Sequence, residues 1–217
     1  MSLFTKNFLV ILVLLISLTI SNTIGTMIKP SHTMQFRMAK NSDVIVKKSL
    51  TLIYRNEWNA FGLKKLPEKI DIIPAPYVMI YQSGTETCFT RDTCNQIVRD
   101  LQAMKLFLND EGEQDIEYNF LISGDGNVYV GRGWNAVGNH TFGVNRRSVG
   151  IALIGTFNDQ KPSEHQIFAL KDLIQLGIET NKICENFEFY NYPRMNLHFK
   201  NAKELFSISK IVDINEK

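Results

Sequence analysis

Three cysteines and one asparagine signal are the groups whose chemistry stands out first. Cys88 and Cys94 lie six residues apart in a segment rich in Thr and Asp. In an exported chain that spacing reads as a short-loop disulfide. Closing so small a loop stabilises by about 2 kcal/mol, mainly by restricting the unfolded chain. Cys184 is left over, and two readings stand for it: a buried unpaired thiol, or a bridge to another molecule. Asn139-His140-Thr141 is an N-glycosylation sequon, which in an exported chain marks a surface loop.

Both readings require export, and the N-terminus supplies it. Lys6 is followed by a thirteen-residue, almost wholly apolar run, Phe8 to Ile20. Small and polar residues follow it, with Gly25 a fitting last residue before cleavage. This is the layout of a secretory signal peptide. The alternative is an uncleaved anchor, because the 22 residues Asn7 to Ile28 carry no charge and suffice to span a bilayer. Lys29, Arg37, Lys40, Lys47 and Lys48 would then lie on the outer side, against the usual bias. Either way, residues 1–28 deliver the remainder outside the cytosol, secreted or anchored. Residues 29–50, polar and basic, read as a linker to a domain over 51–217.

The elements that would position a site alternate. Tyr77–Ile80 is a buried strand entered through Pro74 and Pro76. Thr93 to Phe107 places Ile97, Leu101, Met104 and Leu108 on one helical face. Asn119–Ile122 and Val128–Val130 flank Gly124-Asp125-Gly126-Asn127, a hairpin turn. Ser148–Ile154 is another buried strand. Ser163 and Gln166 form a capping box ahead of a stripe of Ile167, Leu170, Leu173, Ile174 and Ile178. Met195–Phe199 reads as a short strand and Lys203–Ile211 as a last helix. The fold class is α/β, a mixed central sheet flanked by about three helices. At 217 residues, 44% hydrophobic, the chain has material for one core rather than two. Twenty-four Lys plus Arg against 22 Asp plus Glu leave +2, which argues against nucleic acid as a partner. No internal repeat or low-complexity tract appears.

Many segments in one order carry a specific resemblance. Tyr118–Phe157, Arg55–Ala60 (RNEWNA), Pro74–Ile80 (PAPYVMI), the Cys88–Cys94 spacing and Cys94–Gln102 (CNQIVRDLQ) together resemble the peptidoglycan-recognition proteins. The likeness spans about Leu52 to Ile211 and is to a non-catalytic, insect-type long-form member. It implies a zinc-amidase-like fold with a groove for bacterial cell-wall glycopeptide, and a role in innate immune sensing. Enzymatic members hold zinc with two His and one Cys, assisted by a Tyr, and leave one position open for water. On this resemblance Tyr81 stands at the first His, His198 at the second and Phe206 at the Cys, while Tyr118 matches the assisting Tyr. With two of three ligands replaced, neither zinc nor any other cofactor is implied, nor amidase activity.

The groove positions implied are Tyr118, Arg132, Trp134, His140, Thr141 and Asn145. Arg132 matches the family residue that pairs with the carboxylate of diaminopimelate-type peptidoglycan, a task suited to a guanidinium. Against binding stand Glu113, where the family has Trp, Val144, where it has Tyr, and a glycan on Asn139. The resemblance therefore implies two functions, recognition of peptidoglycan fragments or regulation of other peptidoglycan-recognition receptors through protein contacts.

Overall fold

The computed structural model describes residues 50–63, 65–107, 115–191, 195, 197 and 199–207. The export segment, most of the linker, Leu108, Glu113 and His198 lie outside them. Six strands form one mixed sheet: β1 (Leu52–Ile53), β2 (Ala75–Gln82), β3 (Phe120–Ile122), β4 (Val128–Val130), β5 (Ser148–Leu153) and β6 (Ile183–Asn191), in the order β1-β4-β3-β5-β2-β6. Only β3 and β4 pair antiparallel, joined by the hairpin turn in which Gly126 takes φ +83°. All other neighbours run parallel. Leu50 is buried in the core and the Thr51 carbonyl accepts from Val128 N, so the domain takes in the residue at which the linker was expected to end.

Side-chain alternation along the strands divides the interior in two. Val78, Ile80, Phe120, Ile122, Val149, Ile151 and Leu153 face one side, where α2 (Glu164–Glu179) covers them and α3 (Ala202–Ser207) packs on. Leu121, Tyr129, Ala152 and Ile154 face the other side beneath α1 (Arg91–Phe107), together with Ile53 and Trp58. The helices thus lie on both faces, three α-helices among the described residues.

Each helix is held by a local device. Ser163 caps α2 in a full capping box, and the buried Gln166 side chain continues it by donating to the carbonyls of Ile122 and Ile154. For α1, the Cys88–Cys94 disulfide ties the preceding loop to the first turn. The buried stripe of α1 is Cys94, Val98 and Gln102, whereas Met104 is exposed, so the face is rotated from the expected one. Gln102 wins the inward position because its amide bonds Phe61 N, Phe61 O and Asp115. The last strand also differs. Residues 195, 197 and 199 are not extended in a ladder, and β6 lies earlier, along β2. Its core-facing Phe187 and Phe189 alternate with polar neighbours, but its other side faces solvent, which thins the apolar signal.

Candidate functional site

At the C-terminal end of β2 and on the α1 side of the sheet, Tyr81 forms the centre of a polar–aromatic cluster. Its ring lies 5.5 Å from Tyr118 and 5.5 Å from His140, centroid to centroid. Its hydroxyl hydrogen-bonds Thr141 Oγ1 and stands 3.4 Å from His140 Nδ1. Burial raises the pKa of both Tyr81 and Tyr118, with Glu117 adding to each shift, so both phenols are neutral at physiological pH.

The loop after β4 supplies the other wall. Asn145 Oδ1 accepts from the backbone N–H groups of His140 (3.1 Å) and Thr141 (2.7 Å), turning both side chains toward Tyr81. The His140 imidazole lies against Gly138 and against Gly150 of β5, where a Cβ at either would overlap the ring. Burial, with the nearby Arg132 charge, lowers the pKa of His140 to about 4. The imidazole is therefore neutral and its Nε2 is buried without a partner among the described residues.

Arg132, just beyond β4, sits beside this cluster. Its Nε donates to Ile116 O (2.6 Å), one terminal nitrogen to Val137 O (3.0 Å) and the other to Asp115 O (3.2 Å). The guanidinium thus staples the β4 exit to the segment before β3, and it borders a cleft of about 150 Å³ with Lys65, Leu66, Pro67 and Glu68. Asp115 itself is buried and held by Arg55 and Gln102. Arg55, Gln102, Asp115, Gly138 and Gly150 are supports to which the sequence reading gave no role, although all but Asp115 lie within the quoted motifs. A glycine within the apolar run of β5 was the available signal, since it marks close approach of another group.

Two expected site residues lie elsewhere. Trp134 stacks on Phe120 at 4.3 Å and reaches α2, where a Cβ at Gly177 would come within 2.9 Å of its ring. It is half-buried and packs against the core of the opposite sheet face, where a large indole gains by burial. Phe206 packs into that same core from α3, with Lys171 Nζ donating to its carbonyl. Tyr81 packs with the cluster on the α1 side of the sheet, and Phe206 with the core on the α2 side. Tyr81 offers a neutral, already bonded phenol, and Phe206 offers no donor atom, so these residues do not fit zinc. Asn139 is exposed at the start of the loop, Cys88 and Cys94 are bonded to each other, and Cys184 is a free thiol whose Sγ lies 3.2 Å from Pro74 O.

A parallel-rich mixed sheet with helices on both faces and a polar cluster at a strand's carboxyl end is the layout of an amidase-type fold, which comparison with known proteins shows. The model of the N-acetylmuramoyl-L-alanine amidase family matches residues 74–200. Within that class, the chain belongs to the peptidoglycan-recognition proteins. It is 34% identical over 152 residues to a peptidoglycan recognition protein of Trichoplusia ni, covering 70% of this chain and 81% of that one. Peptidoglycan-recognition protein LE of Drosophila melanogaster is 34% identical over 153 residues, 70% of this chain and 43% of that longer protein. Among solved structures, the complex of tracheal cytotoxin with the ectodomains of recognition proteins LCa and LCx superposes with TM-score 0.62 at 34% identity, over 70% of this chain and 90% of that one. Recognition protein LE bound to tracheal cytotoxin, a monomeric diaminopimelic acid-type peptidoglycan, gives TM-score 0.63 at 32% identity, over 70% and 87%.

Proposed function

We propose that this chain is a non-catalytic receptor for bacterial peptidoglycan fragments, acting outside the cell in innate immune sensing. The observation that carries the loss of catalysis is Tyr81. On the family resemblance it occupies the first zinc-ligand position, and its hydroxyl is bonded to Thr141 rather than left as a lone-pair donor. Relatives with tracheal cytotoxin bound support peptidoglycan fragments of the diaminopimelate type as ligand, and the LCa–LCx complex supports pairing with another recognition receptor. The N-terminal segment supports an extracellular domain, secreted or anchored. No helix among the described residues is long and apolar enough to cross a membrane, and the segment 8–20 lies outside them.

A second reading has its own observation. Arg132 already gives hydrogen bonds to three backbone carbonyls, which leaves less of its fork for a ligand carboxylate. That favours a regulatory protein of the same fold, contacting other receptors with little peptidoglycan affinity. Purified protein sedimented with insoluble peptidoglycan, alongside zinc analysis and an amide-cleavage assay, separates the readings. The receptor reading expects co-sedimentation, no stoichiometric zinc and no released peptide. Absence of sedimentation shifts the assignment to the regulator, and one equivalent of zinc with peptide release overturns the non-catalytic reading.

A further inference from the structure

The chain holds one Asn-x-Ser/Thr sequon, Asn139-His140-Thr141, and the fold gives its three residues different fates. Asn139 is exposed, and its backbone N–H is anchored on Glu117 O at 2.8 Å. His140 and Thr141 turn inward to Tyr81, while Phe142, next along, is fully exposed. The loop is therefore a rim: its inner side is the candidate groove and its outer shoulder begins at Asn139.

We propose that Asn139 carries an N-linked glycan and that this glycan fences the groove, admitting small soluble fragments and hindering polymeric cell wall. The transfer needs a lipid-pyrophosphate-linked oligosaccharide of the secretory pathway. The bond from Asn139 Nδ2 to the sugar C1 forms as the C1–O bond to pyrophosphate breaks; the amide loses one proton, the lipid pyrophosphate departs, and nothing is oxidised or reduced. The sequon hydroxyl must be accessible at that moment. In the folded loop Thr141 Oγ1 is engaged with Tyr81, so modification precedes loop closure, during export. Once the loop closes, Asn139 is an exposed residue, and the inward turn that follows it is held by Asn145 on the His140 and Thr141 N–H groups.

The occupant of the rim is thus part of the protein, and its effect is steric. A soluble muropeptide can enter beneath a flexible glycan, whereas a cross-linked polymer must approach across the whole rim. The fence rests on the peptidoglycan reading above; the modification rests only on export and the sequon. The test is expression of the full chain in secreting animal cells, with mass analysis before and after peptide-N-glycosidase. A mass loss on treatment, with Asn139 recovered as Asp, is expected; Asn139→Gln should abolish it and Thr141→Ser, which keeps both sequon and hydroxyl, should retain it. No mass loss in the wild type, or a loss that persists in Asn139→Gln, overturns the glycan. For the fence, Asn139→Gln should sediment severalfold more with insoluble peptidoglycan while its affinity for a soluble muropeptide stays nearly unchanged. Equal sedimentation of the two forms overturns the fence. If neither form binds either ligand, the peptidoglycan reading falls and the fence with it, while a mass loss would still stand for the modification.

Discussion

His140 is an imidazole that cannot accept a second proton without paying for it in a dry, cationic setting. It lies on the backbone of Gly138 and Gly150, faces Tyr81 and Thr141, and feels the charge of Arg132. With its pKa lowered to about 4 in the fold against an ordinary value of 6.5, the unfolded chain binds the proton first as pH falls. The stability that depends on neutral His140 is therefore complete above pH about 6.5, is lost as pH falls toward 4, and changes no further below it, a loss on the order of 3 kcal/mol. Carboxylates titrate in the same range, so urea melts of wild type and His140→Gln should be subtracted across the window. A flat difference would show that His140 protonates in the fold. The sequence pointed to the rim residues Tyr81, Tyr118, His140 and Thr141, and these do come together. The resemblance grouped Trp134 with them, and its ring packs on Phe120; a linear motif does not say which side of a sheet a residue leaves by.

At the level of elements, the joint between α2 and the sheet is made by one side chain. Gln166 is fully buried, accepts from Ser163 N, and donates to Ile122 O at the end of β3 and Ile154 O just past β5. Gln166→Ala removes these bonds, leaving Ile154 O without its described donor while Ile122 O keeps the Ile154 N–H, so it should destabilise by about 2 kcal/mol. Gln166→Glu keeps the acceptor and its shape but loses the amide donor, and should be no better. Urea midpoints at unchanged slope would measure this; a midpoint shift under a tenth of the wild-type stability would show that the carbonyls find other donors. The capping box itself was readable, because Ser, a three-residue gap and Gln is a local code. That Gln166 also serves the sheet was not, since those partners are 44 and 12 residues away. The same contrast explains the strands. β2, β3, β4 and β5 were legible as apolar runs buried on both faces or hairpin-linked. β6 was overlooked in favour of 195–199, because an edge strand with one wet side reads as mixed composition.

For the whole molecule, the open matter is whether Arg132 serves the fold, the ligand or both, and one substitution can divide these. Its three hydrogen bonds tie the β4 exit to residues 115, 116 and 137, and Asn119 crosses the same region, bonding Gly133 O and Ala136 O. Arg132→Ala leaves those carbonyls to water or to nothing, and should cost about 2 kcal/mol of stability. In a domain of this size that lowers the melting temperature by roughly 4–8 °C. Such a loss alone would weaken every ligand only by the small fraction unfolded, which is negligible well below the transition. Binding measured there therefore reports the groove. Two donors of the fork remain beyond the three bonds described, enough for a paired contact with a carboxylate. If they meet diaminopimelate, Arg132→Ala should cut affinity for diaminopimelate-type fragments by about tenfold or more, while lysine-type fragments, lacking that carboxylate, change little. Arg132→Lys should recover part of the charge attraction but not the fork. The same weakening for both fragment types would show that Arg132 acts through the loop that holds His140 and Thr141. A lowered melting temperature with unaltered binding of both would confine it to the fold.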